Sequence, residues 1–389
     1  MKKILIIEDE EPIRRVLVRI LSEESKDYQI SEEEDGKLGL NRLLKEEFDL
    51  ILCDIKMPKM DGIEVLQKAR EKEIFVPFIL LTGHGNVAIA VKAMKLGAYD
   101  FILKPPDLNR LLNAVRHALE TKELVTENKI LKNKIAKKYT IIGESKEINE
   151  IHNLIEKVAP TEARVLITGG NGTGKELVAH QLHQKSGRNS APFVEVNCAA
   201  IPSDLIESEL FGHVKGAFTS AVKDRAGKFE IANGGTVFLD EVADMSFAAQ
   251  AKVLRALQES KIQRVGGEKD IKVDVRIISA TNKDLSKEIA EGRFREDLYH
   301  RLAVILIKVP LLSERKNDIP LLIDHFTQTL SKEQGTEVKS FSKDAVKMLM
   351  DYPWTGNIRE LRNVVERLII LGENPISEND IKHFASKQN

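Results

Sequence analysis

The 389-residue sequence predicts an α/β protein of two or three domains, in which parallel sheets are covered by helices. Three observations support this fold class. The length exceeds that of one ordinary domain, since a domain averages about 150 residues. Short apolar runs alternate with amphipathic stretches, as in parallel sheets with helical crossovers. Charged residues and a glycine-rich turn follow directly after several of these runs, which is where such sheets bind ligands.

The composition is that of a globular protein without membrane segments. Lys and Arg number 59 against 60 Asp and Glu, so the net charge of −1 indicates neither a nucleic-acid nor an acidic partner. No apolar run approaches the roughly 18 residues of a membrane helix, and the first run meets acids after four residues, unlike a signal peptide. Cys53 and Cys198 lie far apart and are typical of reduced thiols. We therefore expect a cytoplasmic protein.

In the first segment the apolar runs predict buried strands at Ile4–Ile7, Leu50–Cys53, Phe78–Leu81 and Phe101–Leu103. The residues directly after these runs are Glu8, Asp9, Asp54, Thr82 and Lys104. Three carboxylates at one sheet edge repel one another and need a cation, and oxygen ligands suit Mg²⁺. A lysine and a threonine opposite them could bind a phosphoryl group, so the chemistry indicated is attack of one carboxylate on phosphorus. Any single acid could also be a solvated strand-end charge.

Four sequence segments in this part match one family in order. They are ILIIEDE, CDIKMPKMDG, LLTGHG and FILKPP, and residues 1–120 resemble a two-component receiver domain, a flavodoxin-like doubly wound fold. The resemblance implies that Asp54 is phosphorylated by a cognate sensor histidine kinase. It also implies that Glu8 and Asp9 bind Mg²⁺. Thr82 and Lys104 are implied to bind the phosphoryl group, and Phe101 is implied to repack when the domain switches. In this family the bond corresponding to Lys104–Pro105 is often cis.

A helical pattern follows Pro106 and continues past the receiver segment. Leu124, Asn128, Leu131 and Ile135 recur at steps of three and four residues. This spacing resembles coiled-coil heptads with one polar position, but it lasts barely two heptads. A dimer-forming helix and a solvated linker helix at residues 121–139 both remain open.

The second half begins with a phosphate-binding pattern. An apolar strand, Val165–Ile167, precedes a glycine-rich turn and an amphipathic helix. In such a P-loop, backbone N–H groups converge on phosphate oxygens and Lys175 reaches the outer phosphates of ATP. Glu176 stands where Ser or Thr usually holds Mg²⁺. The loop comprises Gly169, Gly170, Asn171, Gly172, Thr173, Gly174, Lys175 and Glu176.

Two further patterns complete the signature of an ATPase. The apolar run TVFL ends in Asp240 and Glu241, which predicts a Mg²⁺ ligand followed by a base for the attacking water. Arg295 and Arg301 could supply positive charge to the transferred phosphoryl group from a neighbouring subunit. Because they lie six positions apart, one unbroken helix would not place both on one face. Taken alone, they could also be solvated surface residues.

The ordered segments of this half resemble an AAA+ ATPase of the class that activates sigma-54 RNA polymerase. They are GGNGTGKE, NCAAIP, ELFGHVKGAFTSA, TVFLDE, SATN, FREDLYHRL and WTGNIRELRN. The resemblance implies an α/β subdomain at 140–310 and a helical lid at 311–389. In this class Glu after the P-loop Lys is usual. Asn197 is implied to hold Glu241 inactive. The sensor residues implied are Thr281, Asn282 and Arg359.

The same resemblance assigns a loop that contacts the sigma factor. Its residues are Gly216, Ala217, Phe218, Thr219, Ser220 and Ala221. An exposed Phe and Thr among small residues suit insertion into a partner better than a place in a core. Ser220 replaces the family's second glycine, which could alter the geometry of the loop.

Together these patterns predict a response regulator whose phosphorylated receiver controls an ATPase that remodels sigma-54 RNA polymerase holoenzyme. We expect an inactive dimer and an active ring of six or seven subunits. The sequence shows no basic helix-turn-helix after the lid, so we expect no direct DNA-binding domain in it. Two alternatives stay open: an AAA+ remodeller of a different protein client, and a non-enzymatic oligomerising module.

Two smaller patterns are interpreted without ligands. His180 and His183 have the spacing of a metal pair, but the sequence indicates no carboxylate or Cys ligand beside them, so we expect a helix face without metal. Cys53 is expected to be a buried apolar residue and not a redox sensor.

Overall fold

The computed structural model describes residues 1–83, 87–219 and 221–385, and within these ranges it leaves out the side chains of residues 87 and 127–138. The chain divides into two compact units, Met1–Ile135 and Ala136–Asn389. Among the described residues, no helix has the length and apolar character needed to cross a bilayer.

The N-terminal unit is a five-stranded parallel sheet with strand order β2-β1-β3-β4-β5. The strands are β1 Lys2–Ile7, β2 Tyr28–Glu33, β3 Leu50–Asp54, β4 Phe78–Thr82 and β5 Asp100–Leu103. The helices are α1 Glu11–Glu24, α2 Gly36–Leu43, α3 Gly62–Glu71, α4 Val87–Lys95 and α5 Leu108–Lys138.

Both faces of this sheet are covered, which explains the continuous apolar runs. Leu5 and Ile7 of β1 belong to one core cluster, and Ile4 and Ile6 belong to the cluster on the opposite face. Successive side chains of a strand alternate between faces, so a strand buried on both sides must be apolar throughout. The predicted doubly wound fold is confirmed.

The helix predicted after Pro106 is present as α5, which spans 31 residues. The side chains of Asn128, Leu131 and Ile135 lie outside the described part of the chain. The choice between a dimer-forming helix and a solvated linker therefore stays a prediction.

The C-terminal unit begins with an α/β part whose main sheet is parallel, with strand order β14-β6-β13-β10-β7. Its strands are β6 Val165–Thr168, β7 Phe193–Asn197, β8 Gly212–His213, β9 Arg225–Ala226, β10 Thr236–Asp240, β11 Lys261–Ile262, β12 Ile271–Lys272, β13 Arg276–Thr281 and β14 Ile305–Lys308. The pairs β8–β9 and β11–β12 form two small antiparallel sheets.

Helices flank this sheet and then form a separate layer at the end of the chain. The helices of the α/β part are α6 Lys146–Val158, α7 Lys175–Gln184, α8 Ile206–Phe211, α9 Lys228–Ile231, α10 Phe247–Glu259, α11 Leu285–Ala290 and α12 Glu296–Leu302. The terminal layer contains α13 Ile319–Gln334, α14 Lys343–Asp351, α15 Asn357–Leu371 and α16 Glu378–Phe384. Its core includes the buried Trp354, whose indole donates a hydrogen bond to the Leu349 carbonyl at 2.7 Å.

Candidate functional sites

The acidic residues of the N-terminal unit meet at the carboxyl ends of its strands. Glu8 and Asp54 are buried, and their carboxylate oxygens lie within 4.8 Å of each other and of an oxygen of Asp9. Lys104 Nζ contacts Glu8 Oε2 at 2.7 Å and Asp54 Oδ1 at 3.0 Å. Thr82, the last residue of β4, is also buried. The parallel sheet thus brings the predicted residues together.

The electrostatics of this cluster favour a cation. Burial raises the pKa of Glu8 and of Asp54 above the ordinary values, and hydrogen bonds from Lys104 offset this only in part. Burial alone would lower the pKa of Lys104, but its contacts with Glu8 and Asp54 outweigh that effect and raise it. Three carboxylates face one ammonium group, and oxygen ligands of this kind fit Mg²⁺.

Two other residues named by the family resemblance lie at this edge, and the switching role of Phe101 stays a prediction. The Lys104–Pro105 peptide bond is cis. Phe101 is half-buried and packs against the core cluster that contains Ile7 and Cys53. His84 and Gly85 of the LLTGHG segment lie outside the described residues.

The P-loop lies between β6 and α7. Gly172 and Gly174 have φ values of 73° and 100°, a backbone conformation that side chains disfavour. Across the described residues, no backbone N–H group from Asn171 to Gly174 donates a hydrogen bond within the chain. Unsatisfied donors beside a helix N-terminus form a cradle for anions, so this loop fits the phosphates of a nucleotide.

Lys175 links the P-loop to the end of β10. Its buried Nζ contacts the carbonyl oxygens of Gly169 at 3.1 Å and Gly170 at 3.4 Å. The same atom lies 3.3 Å from Glu241 Oε1. The other oxygen of Glu241 accepts a hydrogen bond from the Asn282 backbone N–H at 2.9 Å. One lysine therefore connects the phosphate loop with the predicted catalytic carboxylate.

Asp240 ends β10 beside these groups. Burial and the neighbouring Glu241 raise the pKa of Asp240, and Lys175 partly offsets this. Glu241 itself has a φ of 50°, so its backbone is in the left-handed conformation that is rare for residues other than glycine. A strained residue at a strand end is typical of an active site.

Asn197 does not make the contact that the resemblance implied. Asp240 pairs with Asn197 in the sheet register, but Asn197 Oδ1 accepts hydrogen bonds from the backbone N–H groups of Ala199 at 3.1 Å and Ala200 at 3.2 Å. Glu241 contacts Lys175 and the Asn282 backbone, and no Asn197–Glu241 hydrogen bond occurs in the described chain. The regulatory role of Asn197 stays a prediction.

The terminal helical layer packs directly on the P-loop. Asn357 Nδ2 donates to the Asn171 carbonyl at 2.9 Å, and the Ile358 N–H donates to the Gly172 carbonyl at 3.0 Å. Arg359, the predicted second sensor, follows at the start of α15. Asn282 Nδ2 donates to Asn171 Oδ1 at 2.6 Å. Thr281 is buried at the end of β13, and its Oγ1 accepts a hydrogen bond from the Lys283 N–H.

The two predicted arginines occupy different positions. Arg295 precedes α12 and binds both oxygens of Asp297, at 3.0 and 2.7 Å. Arg301 is exposed in the last turn of α12. Arg295 thus lies outside the helix that contains Arg301. This agrees with the expectation that one unbroken helix would not place both arginines on one face.

The predicted sigma-contact loop is a compact turn. Gly216 N–H donates to the Ala221 carbonyl at 2.8 Å, and Ala221 N–H donates to the Phe218 carbonyl at 2.9 Å. The expectation of a freely exposed Phe218 is wrong, because this ring is half-buried edge-on against His213 at 4.9 Å. Thr219 is exposed, and Ser220 lies outside the described residues.

The histidine interpretation needs a correction. His183 does not belong to the cluster of possible ligands around His180, and its Nδ1 contacts Thr236 Oγ1 at 3.0 Å. The expectation of no carboxylate beside His180 is wrong, because Glu176 and Glu195 both lie beside its ring. The i, i+4 spacing of Glu176 and His180 on a helix was the sequence signal for the first of these contacts.

Both cysteines are buried in the structure. Burial raises the pKa of the Cys53 thiol far above its ordinary value and that of Cys198 to about 12. Such thiols are poor nucleophiles, which agrees with the expectation of a buried apolar residue at Cys53.

The fold and these sites define a class: a doubly wound domain with an acidic phosphoacceptor-type cluster, followed by a P-loop ATPase domain with a helical lid. Three family models match the chain in this order. Residues 4–116 match the response regulator receiver domain, residues 141–308 match the sigma-54 interaction domain, and residues 313–389 match the AAA+ ATPase lid domain.

Individual relatives agree with the family models. The transcriptional regulatory protein ZraR of Salmonella typhimurium is 44% identical over 369 residues, which cover 95% of this chain and 82% of ZraR. The DNA-binding transcriptional regulator NtrC of Proteus hauseri is 44% identical over 370 residues, or 94% of this chain and 77% of NtrC. The crystal structure of NtrX from Brucella abortus in complex with ATP covers 97% of this chain and 83% of NtrX, with 39% identity and a TM-score of 0.80.

The chain belongs to the NtrC-type sigma-54-dependent response regulators. It is a two-component regulator in which a receiver domain controls an AAA+ ATPase that activates transcription. Membership implies a kinase partner and sigma-54 RNA polymerase as the target.

Proposed function

We propose that phosphorylation of Asp54 switches on an ATP-hydrolysing ring that remodels sigma-54 RNA polymerase holoenzyme. The ATPase part of this proposal rests on the contact of Lys175 with Glu241, next to a P-loop whose backbone N–H groups from Asn171 to Gly174 make no hydrogen bonds within the described chain. ATP phosphates in this loop would attract Lys175 and free Glu241 to polarise the attacking water. ATP bound to the relative NtrX supports this choice of nucleotide.

Each predicted residue then has one role. Lys175 binds the outer phosphates, Asp240 holds Mg²⁺, and Glu241 is the general base. Mg²⁺ neutralises phosphate charge when it is bound. Asn197 makes no hydrogen bond with Glu241 in the described chain, so its proposed restraint of Glu241 would form after ATP has drawn Lys175 away and before the target engages. The sensors of nucleotide state are Thr281, Asn282 and Arg359, and the arginines supplied by the neighbouring subunit are Arg295 and Arg301.

In the receiver, Asp54 attacks the phosphorus of the kinase phosphohistidine, and the imidazole leaves as the acyl phosphate forms. Lys104 and Thr82 bind the phosphoryl oxygens, and Glu8 and Asp9 join Asp54 as Mg²⁺ ligands. Phe101 repacks as the domain switches.

We assign residues 1–120 to the receiver, 121–139 to a helical linker, 140–310 to the α/β subdomain and 311–389 to the lid. Since each ATP site would require an arginine from a neighbour, the proposed active form is a ring; six or seven subunits in the ring and an inactive dimer are expectations from the family resemblance. We propose a cytoplasmic location, because the proposed target, RNA polymerase, acts there.

Contact with sigma-54 is tested by substitution of Thr219, which is exposed in the turn at residues 216–221. With beryllium fluoride as the phosphate mimic at Asp54, we expect Thr219→Ala to abolish open-complex formation while ATP hydrolysis and ring mass are retained. Thr336→Ala, at an exposed position in the lid, is the matched control and should keep all three. Open-complex formation by Thr219→Ala would show that the contact with sigma-54 does not depend on Thr219, whereas a wild type that hydrolyses ATP without forming open complexes would point to a different protein client.

A further inference from the structure

We infer a metal site in the C-terminal unit, formed by Glu176, His180 and Glu195, that binds a divalent cation of the Zn²⁺ type. One nitrogen or oxygen atom of each residue lies within 4.8 Å of the corresponding atoms of the other two. Within the described chain, the other trio that meets this condition is the carboxylate cluster of the receiver. This site is separate from the nucleotide chemistry of Asp240 and Glu241.

Secondary structure fixes the positions of the three residues. Glu176 and His180 are four positions apart on α7 and therefore lie on the same side of the helix. Glu195 and Phe193 of β7 share one face of the sheet, because side chains alternate along a strand. The Phe193 ring lies 4.4 Å from that of His180, so this face of β7 is the one that α7 covers.

The His180 ring is held in one orientation. It is 7% exposed and stacks on Tyr139 with the ring centres 3.3 Å apart. Its Nε2 lies in close contact with the Glu195 carboxylate, but this contact lacks hydrogen-bond geometry, and the buried Nε2 has no hydrogen bond within the described chain. A buried polar atom without a hydrogen bond is costly, and coordination of a cation would satisfy it.

The donor set selects the ion. An imidazole nitrogen with two carboxylate oxygens suits Zn²⁺, whereas Mg²⁺ prefers oxygen ligands alone. Three protein ligands are the usual number in open zinc sites, with water in the fourth position. Ligand atoms lie about 2.0–2.2 Å from zinc, so two of them are at most about 4 Å apart. The exposed side chain of Glu176 can make the small movement required.

The site adjoins the P-loop in sequence, since Glu176 follows Lys175 in the first turn of α7. A cation that binds Glu176 therefore constrains the turn that carries the phosphate-binding lysine. The expected consequence is that Zn²⁺ changes the affinity for ATP. Binding of the metal itself does not depend on ATP hydrolysis, so it can be measured on its own.

The test is calorimetric titration of the full chain with Zn²⁺, without nucleotide and in excess Mg²⁺ to occupy the receiver cluster. We expect one equivalent of Zn²⁺ to bind the wild type. His180→Ala and Glu195→Gln should each weaken this binding by roughly a hundredfold. His117→Ala removes a histidine that is 70% exposed beside Glu120, and it should bind Zn²⁺ like the wild type.

Co²⁺ provides a second readout, because its visible absorption reports nitrogen and oxygen coordination. His180→Ala should lose the band that the wild type and His117→Ala show. If His180→Ala fails to fold by circular dichroism, Glu195→Gln decides, since that residue is exposed on an edge strand. The proposed site would be overturned if His180→Ala or Glu195→Gln folds and binds Zn²⁺ as tightly as the wild type. It would also be overturned if the wild type binds no Zn²⁺ in excess Mg²⁺.

Discussion

At the scale of single residues, Lys175 and Glu241 are in contact at 3.3 Å, but their proposed roles differ and can be separated. Lys175→Ala removes the cation for the outer phosphates, so ATP binding should be lost. Glu241→Gln keeps the side-chain shape without a base, so ATP should still bind while hydrolysis falls by roughly 10²–10⁴-fold. Fluorescent-nucleotide binding and phosphate release measure the two effects.

Both variants must retain the wild-type circular dichroism spectrum for this comparison. Wild-type hydrolysis by Glu241→Gln would mean that the base is another residue. Retained ATP binding by Lys175→Ala would mean that the loop N–H groups suffice.

His325 of α13 makes lid stability depend on pH. Burial lowers the pKa of this imidazole below its ordinary value in the folded chain. As pH falls, His325 is therefore protonated in the unfolded chain before it is protonated in the folded chain. Its contribution to the free energy of unfolding is fully present above the ordinary His pKa and is lost as pH falls below it. We expect His325→Gln to narrow the drop in Tm between pH 7.5 and pH 5.5 by about 1–3 °C.

This difference is measured by calorimetry of wild type and variant at both pH values. The sequence has eight other histidines, so the variant is compared with His300→Gln, which changes a side chain that is 69% exposed. An identical pH response of all three proteins would exclude His325 as a contributor.

Residue-level prediction from the sequence succeeded where a residue ends a strand. Asp54 and Thr82 could be placed because parallel strands bring their carboxyl ends to one edge. The half-buried state of Phe218 depends on His213, which precedes it by five positions in an irregular segment. The contact of His180 with Glu195 depends on which face of β7 the helix α7 covers. Neither pairing follows from local periodicity.

At the scale of elements, the contact between the lid and the P-loop is sensitive to one glycine. A Cβ atom at Gly172 would lie 2.4 Å from the Gly356 carbonyl oxygen and 3.0 Å from Arg359 Cβ, and the φ of 73° disfavours any side chain. Gly172→Ala should therefore displace the start of α15 and weaken ATP binding by roughly tenfold or more, a cost of at least about 1.4 kcal/mol.

Gly187→Ala is the matched control, because a Cβ atom there meets no heavy atom within 4 Å. Equilibrium binding of a fluorescent ATP analogue to both variants checks the prediction. Equal affinity of Gly172→Ala and Gly187→Ala would show that the lid contact does not support nucleotide binding.

The sequence predicted most elements of the receiver but missed β2. The segment YQISEE is polar because β2 is an edge strand, paired on one side only and partly exposed on both faces. The buried strands β3 and β4 read as uninterrupted apolar runs since helices cover both faces. Apolar patterning reports burial, so it finds the central strands and the apolar edge strand β5 but misses the polar edge strand β2.

At the scale of the whole molecule, the proposed ring can be tested through the arginines. Arg301 is exposed at the end of α12, whereas Lys175 of the P-loop is in contact with Glu241. If Arg301 acts on a neighbour's ATP, a subunit with Arg301→Ala can still use its own Glu241. A subunit with Glu241→Gln can still donate its arginine. Each variant alone should hydrolyse ATP at least a hundredfold more slowly.

Mixing the two variants in equal amounts should restore activity, because about a quarter of the interfaces then combine an intact Glu241 with an intact Arg301 from the neighbour. Phosphate release is measured with beryllium fluoride present, and ring mass is followed by light scattering. Arg301→Ala mixed with a subunit that carries both substitutions is the control. That mixture has no interface with both groups and should stay inactive. A mixture of single variants no faster than the mean of the two alone would mean that Arg301 acts within its own subunit, and the requirement for a ring would then lose its physical basis.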